Sequence, residues 1–285
     1  MNDPVVLPDF SSFGGQELRG LESPEEATAA TQALLTEDRN AGEPTIDDPG
    51  QTHVRLERGI RRLDTWYRDA EVRELTGADE EAIAAAGSSS FRVFETLLLR
   101  GVRSIGGEPM DRKVAAELLI GDRELLVMGI RRATFGPDLE FEALPCSACG
   151  GLVDLTVPLT DIPTVRLEDP ERVEFDVPLR RGAVATVRLP TGEDQAAVMA
   201  VPGGNAARQD SELLARCVLR VRQDDGTVTR RPAPTALPMS ARKAIMAFLV
   251  ATQPGPRYAD YTWVHDECGE EVSLPVSLAT LFRGM

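Results

Sequence analysis

Hydrophobic and polar residues alternate along several short segments of this chain, and the segments recur in pairs. HVRLERGI and TWYRDAEVREL, within residues 53–75, alternate in the way that half-buried strands do, and RVEFDVPL and AVATVRL, within residues 172–189, repeat the pattern. A Thr-Gly dipeptide follows each pair, beginning at Thr76 and Thr191, and acidic residues that suit a helix start come next. The pattern therefore predicts two strand hairpins, each leading into a short acidic helix.

The similarity extends over most of the chain. Residues 121–160 align without a gap with residues 240–279, and the match continues upstream with small gaps. Each copy is predicted to contain a hairpin, a short acidic helix, an apolar helix, a second helix, a strand, a metal-binding turn and a final strand. The sequence thus predicts an α+β fold of two tandem pseudo-twofold repeats, residues 51–163 and 164–285, with one extra helix at MDRKVAAELLI in the first copy.

Capping residues mark several predicted helix starts. Asp111 and Ser240 precede predicted helices of the repeats and could cap them. Residues 1–50, rich in Pro, Gly, Ser and acidic residues, contain a short helix pattern at SPEEATAATQALL, with Ser23 as N-cap and Glu26 closing a capping box. The rest of this segment is predicted to be a flexible acidic N-terminal arm, either solvated or docked on a partner or on the body.

Each copy carries a short turn with two potential metal ligands. Cys146 and Cys149 belong to the first copy, and His265 and Cys268 occupy the aligned positions of the second. Zinc binds four nitrogen or sulfur ligands tetrahedrally, and a Cys-x-x-Cys or His-x-x-Cys turn supplies two of them. The two turns therefore predict one structural Cys₃His zinc site that joins the repeats. A complete ligand set leaves no open position for a catalytic water.

Two other interpretations of these turns remain open at this point: a redox-active cysteine pair, and a site that holds no metal. Strand-like alternation follows both turns, whereas a thioredoxin-like Cys-x-x-Cys usually opens a helix. Of the remaining cysteine and histidine, Cys217 is predicted to be a buried small hydrophobe and His53 an exposed residue at the start of a strand. No nucleophile motif accompanies His53, so no catalytic residue and no organic cofactor site is predicted.

Composition narrows the class of protein. The chain has 285 residues, enough for one large domain or two small ones, and 42% of them are hydrophobic. A net charge of −15 repels phosphate backbones, which argues against a nucleic-acid partner. The sequence has no apolar run of about 18 residues and no signal-peptide pattern, so we expect a cytoplasmic protein that does not enter membranes. In that compartment, four cysteines indicate thiols or metal ligands.

The order of the motifs is similar to that of a known family. VRELTGADEEAI, FRVFETLLLRGVRSIGG and LLIGDRELLVMGIRRATFGPDLEFEALPCSACGGLVDLTVPL together resemble the T-even-type phage baseplate hub assembly family. The resemblance covers residues 66–160 and, through the duplication, residues 172–285 more loosely. The second turn departs from it with His265 in place of a cysteine, and the N-terminal arm has no counterpart.

The resemblance implies a non-enzymatic assembly chaperone, or a hub-associated component, of a contractile phage tail or a phage-like contractile injection system. Its partners would be baseplate hub or other tail proteins. It would act in the cytoplasm of the producing or infected cell, and retention in the assembled particle stays open. Two other classes also stay open: a zinc-dependent or thiol enzyme of unknown substrate, and a host zinc-ribbon adaptor.

Overall fold

The computed structural model describes residues 52–258, 261–273 and 276–282. The predicted arm, including the helix expected after Ser23, lies outside the described residues. Residues 49–285 belong to one compact unit. Within the described part of the chain, no helix combines the length and the apolar character that crossing a membrane requires.

The described ranges contain both strands and helices, as the α+β prediction requires. The strands are β1 His53–Arg62, β2 Thr65–Val72, β3 Val102–Ile105, β4 Glu108–Pro109, β5 Asp138–Pro145, β6 Leu152–Pro158, β7 Thr164–Val165, β8 Phe175–Pro178, β9 Val184–Val187, β10 Val218–Arg222, β11 Val228–Arg230, β12 Gly255–Pro256, β13 Thr262–Val264 and β14 Glu271–Ser273.

The helices alternate with these strands along the chain. They are α1 Gly77–Ala85, α2 Ser90–Gly101, α3 Arg112–Glu117, α4 Ile120–Phe135, α5 Gly192–Met199, α6 Ala206–Cys217, α7 Met239–Thr252 and α8 Leu278–Leu281. Short 3₁₀ turns lie at Leu159–Asp161, Arg180–Gly182, Pro202–Gly204 and Pro234–Ala236.

The first sheet consists of β1, β2, β3 and β4 in that order, all antiparallel. A bulge interrupts the pairing of β1 with β2. The buried carboxylate of Asp122, on α4, satisfies this bulge. It accepts hydrogen bonds from the N–H groups of Glu57 (2.7 Å), Arg58 (3.1 Å) and Gly59 (2.8 Å). Because these bonds join the bulge to α4, they fix the long hairpin across that helix.

A second antiparallel sheet has the strand order β8, β9, β10, β11. Its first two strands have four residues each, whereas β1 has ten and β2 has eight. The shorter hairpin covers less of its helix. At aligned positions of the two helices, Val250 on α7 is 67% exposed, while Arg131 on α4 is 9% exposed and donates to the carbonyls of Gly136 and Asp138.

Identical capping boxes begin the helix after each hairpin. Thr76 caps α1 and Thr191 caps α5, and in each case the carboxylate three residues later completes the box. Asp79 accepts from the N–H of Thr76 at 2.9 Å, and Asp194 accepts from the N–H of Thr191 at 2.9 Å. These Thr-Gly turns therefore fix where each helix starts.

Each capping carboxylate also binds an arginine from the strand before it. Arg73 donates to both oxygens of Asp79 at 2.8 and 3.0 Å, and Arg188 donates to both oxygens of Asp194 at 2.5 and 2.8 Å. The hydrogen bonds from Arg73 lower the pKa of Asp79. Burial would raise the pKa of Asp194, but the hydrogen bonds from Arg188 and Thr191 outweigh it and lower that pKa.

Two hydrophobic cores form around the two sheets. The core beside the first sheet includes Leu98 and Ile130, and the core beside the second includes Leu214 and Ile245. The C-terminal segment crosses over: Val276 and Leu281, together with Trp263, pack against the first core. The end of the second half therefore completes the core of the first.

Backbone contacts join the two halves near the start of α4. The N–H of Gly192 donates to the carbonyl of Leu118 at 2.9 Å, and the N–H of Ile120 donates to the carbonyl of Pro190 at 3.3 Å. A Cβ atom on Gly121 would lie 1.5 Å from the carbonyl oxygen of Pro254, so only glycine fits this contact.

Several local predictions can be compared with this structure. Asp111 caps α3 by accepting from the N–H of Val114 at 2.8 Å, as predicted. The prediction for Ser240 is wrong: α7 begins at Met239 after Pro238, whose fixed φ suits a helix start, so Ser240 lies inside the first turn. The strands β3 and β10, which follow α2 and α6 directly, were not predicted.

Candidate metal centre

The first candidate metal-binding turn, with Cys146 and Cys149, lies at the tip of the hairpin formed by β5 and β6. The N–H of Cys146 donates to the carbonyl of Gly151, and the N–H of Gly150 donates back to the carbonyl of Cys146, both at 2.8 Å. Gly150 has a φ of +74°, which residues with a Cβ rarely adopt. This tight turn places Cys146 and Cys149 on the same side of the hairpin tip.

The second turn, between β13 and β14, has the same construction. The N–H of His265 donates to the carbonyl of Glu270 at 3.0 Å, and the N–H of Gly269 donates to the carbonyl of His265 at 2.7 Å. Gly269 has a φ of +71°, equivalent to that of Gly150. The glycine after the second ligand residue of each turn thus has the positive φ that this turn needs.

The structure brings the four sequence-predicted ligands together. One ligand atom from each of Cys146, Cys149, His265 and Cys268 lies within 4.8 Å of the other three. The sulfurs of Cys146 and Cys268 are 3.9 Å apart, and Nδ1 of His265 lies 3.3 Å from the Cys149 sulfur and 3.2 Å from the Cys268 sulfur. The cluster could therefore bind a metal ion.

The spacing can be compared with the geometry that a tetrahedral ion needs. With metal–sulfur bonds of about 2.3 Å and metal–nitrogen bonds of about 2.0–2.1 Å, the ligand atoms lie about 3.6–3.8 Å apart. The three separations above bracket this range. Three sulfurs and one imidazole nitrogen, with no oxygen ligand in the cluster, do not match the preferences of calcium or magnesium. The donor set fits a soft or borderline transition metal.

Burial differs among the four residues. Cys146 is 3% exposed and His265 is 2% exposed, whereas Cys149 and Cys268 are exposed. The ring of His265 packs against that of Trp263, with 5.3 Å between centroids, which fixes the imidazole orientation. The cluster therefore has one protected side and one side that faces solvent.

The electrostatics of the cluster favour a bound cation. The N–H groups of Cys149 and Ala148 point at the Cys146 sulfur and lower the pKa of its thiol to about 7. The N–H of Glu270 lowers the pKa of Cys268, but burial and the neighbouring cysteine sulfurs outweigh this effect, so the pKa is raised. Neighbouring thiolates repel each other, and a cation between them removes that cost.

The other cysteine and histidine singled out in the sequence lie elsewhere. Cys217 is fully buried in the second core, as predicted, and burial raises the pKa of its thiol to about 12. His53 is exposed at the first position of β1, also as predicted. Neither residue belongs to the cluster.

Sequence reasoning missed a group of ionisable side chains at the contact of the two halves. Arg123 is fully buried, pairs with Glu95, and donates to the side-chain oxygen of Gln195 at 2.5 Å. Burial lowers the pKa of Arg123 to about 10 and raises the pKa of its neighbour Glu124 to about 7. The available signal was the Asp-Arg-Glu triplet at 122–124, which interrupts the apolar pattern of a buried helix.

Comparison with known proteins gives one match. The family described as T4 bacteriophage base plate protein matches residues 63–233, which include β2, β3 and β4 of the first sheet, the whole second sheet and the turn with Cys146 and Cys149. No curated protein and no solved structure matches the chain.

Proposed function

The chain belongs to the T4 bacteriophage base plate protein family, and we propose that it is a non-enzymatic baseplate hub assembly factor or hub-associated component. It serves a contractile phage tail or a phage-like contractile injection system, and its partners are the hub or other tail proteins. The family match carries this proposal, because it spans residues 63–233 and so most of both halves. The protein acts in the cytoplasm of the producing or infected cell, before or during assembly of the tail.

We further propose that Cys146, Cys149, His265 and Cys268 hold a structural zinc ion. Three sulfurs and an imidazole nitrogen, whose ligand atoms all lie within 4.8 Å of one another, support this identity. Bound zinc would join the hairpin of β5 and β6 to the hairpin of β13 and β14. The four side chains complete the coordination sphere, which supports a role in stability rather than turnover.

The tandem repeat is the third part of the proposal. Two sheets with the same sequential strand order, each with a capping box at Thr76 or Thr191 after its second strand, support an internal duplication. So do the two metal-binding turns, with equivalent hydrogen bonds and glycine conformations. On this proposal, residues 51–163 and 164–285 descend from one ancestral unit, and the metal joins equivalent points of the two copies.

The assembly role is tested by deleting the gene in its native phage or injection-system cluster and counting complete particles by electron microscopy. We expect few or no complete contractile particles, with restoration by the wild-type gene. Complementation with Cys149→Ser should restore fewer particles than complementation with Cys217→Ala, a cysteine variant outside the cluster. Normal numbers of complete particles from the deletion strain would contradict the assembly role.

The metal is tested separately on purified protein. Elemental analysis should give about one zinc per chain for the wild type and for Cys217→Ala, and less for Cys149→Ser. Iron or copper in place of zinc, or a zinc content unaffected by Cys149→Ser, would contradict the assignment. Co-purification of tail proteins with the tagged wild-type chain identifies the partner.

A further inference from the structure

A cavity of about 330 Å³ lies between α2, α4 and α5. Its walls are mainly apolar and partly aromatic, and they include Phe91, Phe94, Val127, Met199 and Tyr258. One carboxylate, that of Glu124, also lines the cavity. Ligand pockets in proteins usually span about 300–1,000 Å³, so this one has the size for a single side chain or a small molecule. It is separate from the residues of the metal centre.

Glu124 is the only charged side chain among the residues that line this cavity in the described part of the chain. No hydrogen bond or ion pair to its carboxylate occurs among the described residues, and the side chain is half-buried, with oxygens that are not fully enclosed. A carboxylate that loses part of its hydration without gaining a partner is destabilised. Consistent with this, burial raises the pKa of Glu124 to about 7, despite the nearby charges of Arg257 and Arg123.

The two nearby arginines are committed to other acceptors. Arg123 pairs with Glu95 and donates to Gln195. Arg257 donates to the backbone carbonyls of Val250, Gln253 and Gly255. The Nε–H of Arg123 is buried without a hydrogen-bond partner among the described residues, yet neither guanidinium bonds to Glu124, so the acceptor positions of its carboxylate stay open towards the cavity.

The aromatic walls suit a flat cation. Phe94 already holds a guanidinium against its ring, since the Arg123 guanidinium carbon lies 5.1 Å from the ring centroid. Phe91 and Tyr258 supply further rings, and Met199, which is 53% exposed, lies where the cavity meets solvent. A guanidinium can stack on such rings and bind a carboxylate through two hydrogen bonds, whereas an ammonium group offers only a point charge.

We propose that this cavity binds an arginine side chain presented by a partner protein, with its guanidinium on the Glu124 carboxylate and its stem against Val127 and Met199. The apolar walls receive the methylene groups, and the open carboxylate receives the charge. The identity of the partner as a tail protein rests on the proposed baseplate function, whereas the preference for a guanidinium does not.

The test uses the purified full-length chain with its bound metal and N-acetyl-arginine amide as the probe. The matched comparison is N-acetyl-citrulline amide, which has nearly the same shape but no charge. NMR titration should show saturable shifts of aromatic signals from Phe91, Phe94 and Tyr258 with the arginine probe. Binding of the citrulline probe should be weaker by about tenfold or more, because it lacks the charge-assisted hydrogen bonds.

Glu124→Gln should weaken arginine binding by about tenfold or more while keeping the fold, because an amide of similar shape replaces a poorly solvated carboxylate. Glu81→Gln, the same change on the exposed face of α1, serves as the control and should bind like the wild type. Equal affinity for the two probes, unchanged affinity in Glu124→Gln, or no saturable shift with the arginine probe would each overturn the proposal. The probe comparison needs only the wild type, so it decides the question even if Glu124→Gln fails to fold.

The assembly experiment has separate outcomes. Selective arginine binding together with normal particle numbers in the deletion strain would retain the pocket and reject the baseplate function. Loss of particles in the deletion strain without arginine binding would reject the pocket and retain the baseplate function.

Discussion

Loss of Cys149 should reveal how much the proposed zinc contributes to stability. Cys149 is an exposed ligand, so Cys149→Ser removes a thiolate without burying a new hydroxyl group in the core. Its nitrogen neighbour in the cluster, His265, lies 116 positions further along the chain. A metal that binds both residues therefore closes a very long loop in the unfolded chain.

The length of this loop sets the magnitude. By the chain-entropy argument used for disulfides, closing a loop of about 100 residues stabilises the folded state by about 4.7 kcal/mol. The unfolded chain retains the Cys-x-x-Cys turn and can bind some metal through it, which reduces the difference. We therefore expect Cys149→Ser, or removal of the metal by a chelator, to lower the free energy of unfolding by about 3–5 kcal/mol.

Urea unfolding at fixed zinc concentration measures this loss. Trp263 reports on the cluster, since its ring lies 5.3 Å from that of His265, and Trp66 on β2 reports on the first sheet. The control is Cys217→Ala, which should keep its zinc and still respond to the chelator. If the chelator leaves the wild-type urea midpoint unchanged, or if Cys149→Ser unfolds at the wild-type midpoint, the cross-link reasoning is wrong.

Four further substitutions test the rest of the fold. Asp194→Ala and Asp79→Ala should each cost about 2–4 kcal/mol in urea unfolding, because a buried carboxylate that caps a helix and pairs with a half-buried arginine is lost. Since the folded pKa of both carboxyls is lowered, this stability is present at neutral pH and disappears as pH falls through the folded pKa values, and a cost below about 1 kcal/mol would contradict the pairing. Glu124→Gln should match the wild type in stability near pH 4 and exceed it by about 2–3 kcal/mol near pH 8. The folded pKa of Glu124 is raised from 4.5 to about 7, so the wild type loses stability as pH rises through that window, and equal stability of the two proteins at both pH values would contradict this. Gly121→Ala should lower the melting temperature strongly, because its Cβ would lie 1.5 Å from a backbone carbonyl oxygen. Gly77→Ala, whose Cβ would have nothing within 4 Å, should be tolerated, and equal melting temperatures of the two variants would argue against this close contact.

The clustering of Cys146, Cys149, His265 and Cys268 could be predicted because its signal in the two turns is local and rare. The chain has only two histidines and four cysteines, and the three-residue spacing in each turn is fixed by the geometry of a tight loop. The glycine that follows each turn was a second local signal, and Gly150 and Gly269 both have positive φ. Alternating hairpin patterns and capping motifs are local in the same sense.

The strands that follow α2 and α6 had no comparable signal. ETLLLRGVRS continues a helical pattern without a proline, yet α2 ends at Gly101 and β3 begins at Val102. Pairing of Val102 with Val72 on β2 stabilises the extended form, and that contact depends on residues far away in the sequence. Local propensity favoured the helix, and tertiary pairing overrode it.

Which residues line the cavity and which fill each core could also not be predicted from the sequence. Alternation along a strand shows that one face is buried but not which partner covers it. Val276 and Leu281 therefore gave no sign that they would pack against the first core. The contact of Arg123 with Gln195 joins positions 72 residues apart, and it depends on how the two halves meet.

The contacts between the two halves also determine which part of the protein should lose structure first when the metal is removed. Gly192 donates to Leu118, and the backbone of Gly121 lies against Pro254, through groups that include none of the four ligands. These contacts can persist without metal, whereas β13 and β14, with three residues each, form a pair too short to be stable alone. Hydrogen exchange after chelation should therefore accelerate at the amide of His265, which donates to the carbonyl of Glu270 at the end of this hairpin, while the N–H of Gly192 keeps its protection. Equal acceleration at both amides would mean that the metal supports the whole body, and the division into a local metal-dependent hairpin and a metal-independent interface would be wrong.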